Sequence, residues 1–230
     1  KKSIKFNFKK LELTPHIFKE ILRIGFPAGV QSSLYTVSNL IIQSCINYFG
    51  TNKVAAWAAY GKLDSVFWML ISALGISITT FAGQNYGAKK YVRVKKGMFE
   101  CLGLAVCLTL FFSFAFLLLA RPLFSLFSTD LNVIESGIEI LHFMVPFWSA
   151  YISIEIISGT IRGCGQSFIP MLITVFGVCV LRLIWLFTAV PLHNTMRTVL
   201  LVYPITWTAT SIAFWLYYIS GKWLVKGAHQ

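Results

Sequence analysis

The chain has 230 residues, 57% of them hydrophobic and only 12% charged, with a mean hydropathy of +0.71. A soluble domain carries about 25% charged residues, and apolar runs of about 20 residues read as bilayer spans, so the composition excludes a water-soluble protein. The formal net charge is +12. In a soluble protein that surplus would suggest nucleic acid, but here the cations cluster in short polar segments between apolar runs. They point to membrane orientation and contact with anionic lipid, and call for no nucleic-acid partner.

Residues 1–23 form a basic linker with Lys1, Lys2, Lys5, Lys9, Lys10, Lys19 and Arg23. Thr14-Pro15 is a helix-start pair, a capping hydroxyl before a first-turn proline, and predicts an interfacial helix. The sequence opens on Lys1-Lys2 in mid-flow and reads as part of a longer protein.

Six spans are expected, at about 24–48, 54–82, 97–120, 137–160, 168–190 and 200–220, and residues 221–230 form a tail. Gly50-Thr51-Asn52 marks the first turn. Gly83 to Lys96, with five cations, marks the second. Arg121-Pro122 closes the third span, and Ser128-Thr129-Asp130 starts a helix ahead of the fourth. Arg162 to Ser167 and Pro191 to Arg197 mark the last two turns. With the Lys89–Lys96 loop on the inside, inner segments hold fifteen cations and outer segments three. That asymmetry sets both ends of the segment in the cytoplasm of a multi-pass cell-membrane protein.

The fold class is therefore all-α, a polytopic bundle of six transmembrane helices spanning 24–220. No P-loop, HExxH or GxSxG pattern occurs, and the four histidines are too scattered in sequence for a metal site. The chain reads as a non-enzyme, with no metal.

The first span carries a polar row. Gln31, Tyr35, Asn39, Gln43 and Asn47 recur every fourth residue and so share one helix face. Such a row cannot face lipid, where each unmet hydrogen bond is costly. It is either a wall of a hydrated cavity or a set of helix–helix hydrogen bonds. Trp207 in the sixth span is deep enough to touch a ligand.

Charges at membrane depth are functional candidates by default. Asp64 lies in the second span near Trp57, Tyr60 and Trp68, and Arg182 lies in the fifth. Counted at about 1.5 Å per residue, the two fall at similar depth and are expected to be able to meet as an ion pair. Glu155 has Arg162 seven residues on along the same face, which reads as a structural pair. Lys62 and Glu100 lie near span ends, where long side chains snorkel.

Three motifs stand in order along the chain: Gly83-Gln84-Asn85-Tyr86-Gly87-Ala88 before basic residues, Phe127-Ser128-Thr129-Asp130-Leu131-Asn132-Val133, and Arg162-Gly163-Cys164-Gly165 with Pro170. Arg23-Ile24-Gly25-Phe26-Pro27 is a fourth, looser one. Together they resemble the MATE family of multidrug and toxin extrusion transporters, and the resemblance covers nearly the whole chain, as the C-terminal half of a twelve-helix protein. It implies two six-helix lobes with a cavity between them, alternately open to each side. It also implies export of small organic, often cationic, compounds driven by Na+ or H+, with the N-terminal half of the same transporter and membrane lipids as partners. The only accessory it implies is that coupling ion.

The sequence departs from the NorM-type branch, whose first helix in this half carries a carboxylate. No Asp or Glu lies between Arg23 and Lys53, and Tyr35 occupies that region. Either Asp64 or Glu155 takes the coupling role, or coupling rests on the N-terminal half, as in the DinF-type branch. Two other readings remain open. A flippase of lipid-linked precursors would call for cations facing phosphate, and only Arg182 is deep. A membrane scaffold without transport would have a dry interface along the first span.

Overall fold

The computed structural model describes residues 14–225, all helix and turn with no strand among them. The basic segment before Thr14 and the tail after Val225 lie outside the described residues.

Six long helices carry the fold. α1 spans Pro15–Asn47 and α2 Thr51–Gly87. α3 spans Tyr91–Leu118, α4 Leu131–Gly163, α5 Phe168–Leu192 and α6 Met196–Ile219. Helices α2 to α6 are long and apolar enough to cross a membrane. α1 has the length, at 33 residues, but its polar row interrupts the apolar run. Length and composition together thus support five crossings, and α1 matches them in length only. The expected interfacial helix and first span are one continuous helix, which starts at Pro15, where the missing N–H is not needed, and runs on through Pro27.

The turns follow local chemistry. Gly50 has φ +87 and turns α1 into α2, and Gly165 at φ +83 does the same between α4 and α5. Such backbone angles cost a side chain energy that glycine avoids. Lys89, at φ 57, is the one described non-glycine in the left-handed region and turns α2 into α3. The helices extend into the polar loops, so only Ala88–Lys90 remains as turn. The expected outer helix and fourth span are also a single element. Asp130 caps it, its side chain accepting from the Asn132 N–H at 2.8 Å. A 3₁₀ turn at Val145–Phe147, containing Pro146, joins its two parts without a break.

α4 is the hub, packed on α2, α6 and α3. Phe67 of α2 stacks on Trp148 of α4 with ring centroids 4.3 Å apart, both fully buried. Further along the same seam the helices touch through small residues. A Cβ on Gly163 would collide with the Thr79 carbonyl oxygen, and one on Gly159 would crowd the Gly75 carbonyl. Thr79 Oγ1 bridges the seam, donating toward the carbonyls of Gly75 at 2.7 Å and Gly159 at 3.0 Å. Small residues let membrane helices approach this closely.

α1 packs on α5 and only sparsely on α2. A second apolar cluster of Ile42, Ile46, Leu186, Val199 and Val202 fixes α1 to α5 and α6 at the end near Gly50. α1 and α2 are joined at the Tyr48–Gly50 turn, and a wedge opens between them below it. α3 lies on the opposite flank, exposing Phe99, Leu104, Leu110, Phe111, Phe114 and Leu118, an apolar face suited to lipid.

Candidate functional site

The wedge is a cavity of about 590 Å³, lined by α1, α2, α4 and α6. One wall is the polar row. Gln31, Tyr35, Asn39 and Gln43 line it, with Ser32 and Thr36 beside them. Spacing by four on a 3.6-residue helix keeps these groups on one slowly drifting face. The row is partly bonded within itself, Gln43 Nε2 donating to Asn47 Oδ1 at 2.9 Å and Thr36 Oγ1 to the Ser32 carbonyl at 3.0 Å.

The facing wall is aromatic: Trp57, Tyr60 and Trp68 from α2, Tyr151 from α4, and Tyr203 and Trp207 from α6. These rings pack edge to face and tilted, with Trp57 stacked on Tyr60. Trp68 lies 4.4 Å from Tyr151 and 5.8 Å from Trp207, and Tyr203 lies 5.3 Å from Trp207, all between centroids. A wall of mutually packed rings is rigid, apolar on its faces and tolerant of ligand shape. Tyr151 escaped the sequence reading. The signal available was its place four residues before Glu155, on the same face of α4.

Asp64 lines the cavity as its one carboxylate. Its oxygens accept from the Tyr60 hydroxyl at 3.0 Å and the Trp68 indole N–H at 2.5 Å, each one turn away on α2. Both donors are neutral. Among the described residues no ion pair joins Asp64 to Arg182, so the expected pairing is corrected. Equal depth did not bring them together, because Asp64 is held by its own helix and Arg182 by α1.

Arg182 is fully buried. Its Nη1 donates to Asn39 Oδ1 at 2.7 Å. Its guanidinium carbon lies 5.2 Å from the Tyr35 ring centroid and 4.8 Å from that of Tyr203, a cation between two π faces. Asn39, Tyr35 and Tyr203 all line the cavity, so Arg182 sits one side chain behind its wall. A π-helical segment, Val175–Val180, precedes it in α5. Such wide turns recur at functional sites.

Glu155 does not line the cavity. Its Oε1 lies 3.5 Å from Arg162 Nη2, and its Oε2 accepts from the Tyr151 hydroxyl at 3.4 Å. It therefore sits behind Tyr151, with a cationic partner of its own. Glu100 pairs with Lys96 at 3.7 Å, both exposed. A further cluster joins three segments near the Gly50 end, where Glu139 meets Lys53 at 3.4 Å and Arg197 at 3.1 Å. The sequence reading had these residues in separate segments and did not connect them. Among the described residues no group of His, Cys, Asp and Glu side chains is arranged to hold a metal ion.

Comparison with known proteins gives a consistent picture. The probable multidrug resistance protein YoeA of Bacillus subtilis (strain 168) is 26% identical over 170 residues, which are 73% of this chain and 36% of that protein. YpnP of the same organism, also described as a probable multidrug resistance protein, is 26% identical over 205 residues, 88% of this chain and 45% of that one. Among solved structures, an outward-facing multidrug resistance MATE family transporter superposes with a TM-score of 0.84 at 17% identity, covering 99% of this chain and 51% of that one. The chain thus spans about half the length, or less, of the proteins it matches. Those proteins are named as transporters and resistance proteins, not as enzymes. The sequence matches the MatE family over residues 27–188, which is most of the chain and includes the cavity-lining residues of α1, α2 and α4, and the chain belongs to that family.

Proposed function

We propose that the chain is the C-terminal lobe of an antiporter that exports small organic compounds, cationic ones among them, by alternating access, with Na+ or H+ as the coupling ion. The observation that carries this reading is the α1 row. Ser32, Thr36, Asn39 and Asn47 are exposed along this face of a helix of membrane length, and a bilayer tolerates that only where the face is turned to water or protein. The row borders a cavity of drug size with an aromatic far wall. The half-length match supports a second lobe, the N-terminal half, as the other side of the path. The relatives' description as multidrug resistance proteins supports the substrate class.

Of the two candidate carboxylates, Asp64 suits the coupling role better. It borders the cavity with neutral partners only, whereas Glu155 lies behind Tyr151 and is neutralised by Arg162. Fifteen inner against three outer cations support a cell-membrane topology with both ends of this segment cytoplasmic.

The test is dye export by the full-length transporter in everted vesicles, with an imposed Na+ or H+ gradient. Export should require one of the two gradients and fall at least about tenfold in Asp64→Asn. Residues 1–230 alone should give no export, and co-expression with the other half should restore some. A full-length protein that moves no dye under either gradient would sink the reading.

A further inference from the structure

Arg182 has more hydrogen-bonding capacity than its surroundings use. Nη1 donates to Asn39, and the Tyr35 hydroxyl also lies close to the guanidinium. Nε and Nη2 are buried and have no hydrogen-bond partner among the described residues. These two nitrogens form the side edge of the guanidinium, the pair of parallel N–H donors that fits the two oxygens of a carboxylate. The Trp207 indole nitrogen is a third buried donor without a partner. Trp207 packs on Tyr203, one of the two rings that sandwich Arg182. No carboxylate neutralises the cation among the described residues. A buried charge normally demands a counter-charge, and unmet buried donors are costly. An uncompensated cation with its bidentate edge open, one side chain behind a cavity wall, has the form of an anion receptor.

We infer that Arg182 is a subsite for the carboxylate of an organic acid or zwitterion taken up in the cavity, with Nε and Nη2 binding its two oxygens. Access runs past Tyr35 and Asn39, which stand between Arg182 and the cavity on one exposed helix, α1. Asp64 borders the same cavity on α2, held away from Arg182 by Tyr60 and Trp68. The two groups therefore offer opposite charges at separate places. A compound carrying both an amine and a carboxylate can meet each with its own end, and an acid without an amine still meets Arg182. The subsite deepens the transport reading and rests on it.

The test uses a matched fluorescent pair, 7-methoxycoumarin-3-carboxylate and the corresponding carboxamide, with purified full-length transporter in nanodiscs. Wild type is expected to bind the acid at least about tenfold more tightly than the amide, the ratio expected of one bidentate charge-assisted contact. Arg182→Gln should bring the ratio to about one. Arg182→Lys, which keeps the charge but loses the paired edge, should lose most of it. A wild type that exports a cationic dye such as ethidium yet binds acid and amide equally overturns the subsite and leaves the transport reading standing. A wild type that exports neither dye nor acid overturns the transport reading. An acid preference that survives in Arg182→Lys overturns the subsite even if Arg182→Gln does not fold.

Discussion

Arg182 Nη1 donates to Asn39 Oδ1 at 2.7 Å, tying α5 to α1 across 143 residues of chain. α1 has few other polar anchors. The hydrogen bonds of Thr36, Gln43 and Ser44, by contrast, run along α1 itself. The bond therefore fixes how the polar row faces the cavity.

Asn39→Ala should destabilise the protein by about 1–3 kcal/mol, since it leaves another buried guanidinium donor without an acceptor. A double-mutant cycle of Asn39→Ala and Arg182→Met should show a coupling of about 0.5–3 kcal/mol, as bonded neighbours do. The same cycle with Asp64→Asn in place of Asn39→Ala should be additive within about 0.5 kcal/mol, because Asp64 is held by Tyr60 and Trp68 and makes no ion pair with Arg182. Thermal unfolding of purified protein in detergent reads all three quantities. Coupling between Asp64 and Arg182 equal to that of Asn39 and Arg182 would show that Arg182 is not held by Asn39 in preference to Asp64.

A second prediction concerns the α2–α4 seam. Gly163→Ala places a methyl against the Thr79 carbonyl oxygen and the Gly83 backbone, which cannot move without separating the helices. The atoms nearest a methyl in Gly75→Ala belong to the Glu155 side chain, which can swing aside more easily than backbone. Gly163→Ala should therefore lower stability by about 1–3 kcal/mol, and Gly75→Ala by less. Equal thermal midpoints for the two variants would count against a backbone contact at Gly163.

Much of this architecture was legible in the sequence. Amides at every fourth position of an otherwise apolar run announce a face that must avoid lipid, and Gln31, Tyr35, Asn39 and Gln43 do share one cavity wall with Trp207 opposite. The Glu155–Arg162 contact was also readable, because both residues lie on one helix, where spacing fixes direction. The partner of Arg182 was not. Counting residues gives depth along a helix but not the azimuth of one helix against another. The wide turn at Val175–Val180 adds to this, since about one extra residue in a turn rotates everything after it by about 100°, and no residue in Val-Phe-Gly-Val-Cys-Val marks such a turn. The Glu139 cluster was hidden for a related reason. Lys53 and Arg197 are 86 and 58 residues away from it in sequence, and only tertiary packing brings them together. Gly163 was read as a turn former, whereas the contact it makes with Thr79 shows that close packing also requires it.

Topology gives a third prediction. In a background without the five native cysteines, a cysteine at Lys90 should react with an impermeant maleimide only in inside-out vesicles, and one at Asn132 only in intact cells. Lys90 lies in the Ala88–Lys90 turn and Asn132 at the start of α4, both exposed and at opposite ends of the bundle. The reverse pattern would invert every direction drawn from the cation count.

The last prediction tests Tyr35 as the movable part of the wall. Its ring covers one face of the Arg182 guanidinium, at 5.2 Å, and its other surroundings include the cavity. Removing the ring does two things at once. It takes away one cation–π contact, worth about 0.5–2 kcal/mol, and it opens the space between the cavity and Arg182. Tyr35→Phe keeps the ring face and should do neither to a measurable extent. Tyr35→Ala should therefore lower the thermal midpoint modestly and shift the export profile toward bulkier compounds and toward acids. Tyr35→Phe should stay close to the parent in both respects. Resistance profiles across a panel of cationic, neutral and acidic compounds, corrected for protein level in the membrane, read the shift directly. If Tyr35→Ala exports the whole panel as the parent does, Tyr35 is a packing residue between α1 and α5, and the compounds pass elsewhere.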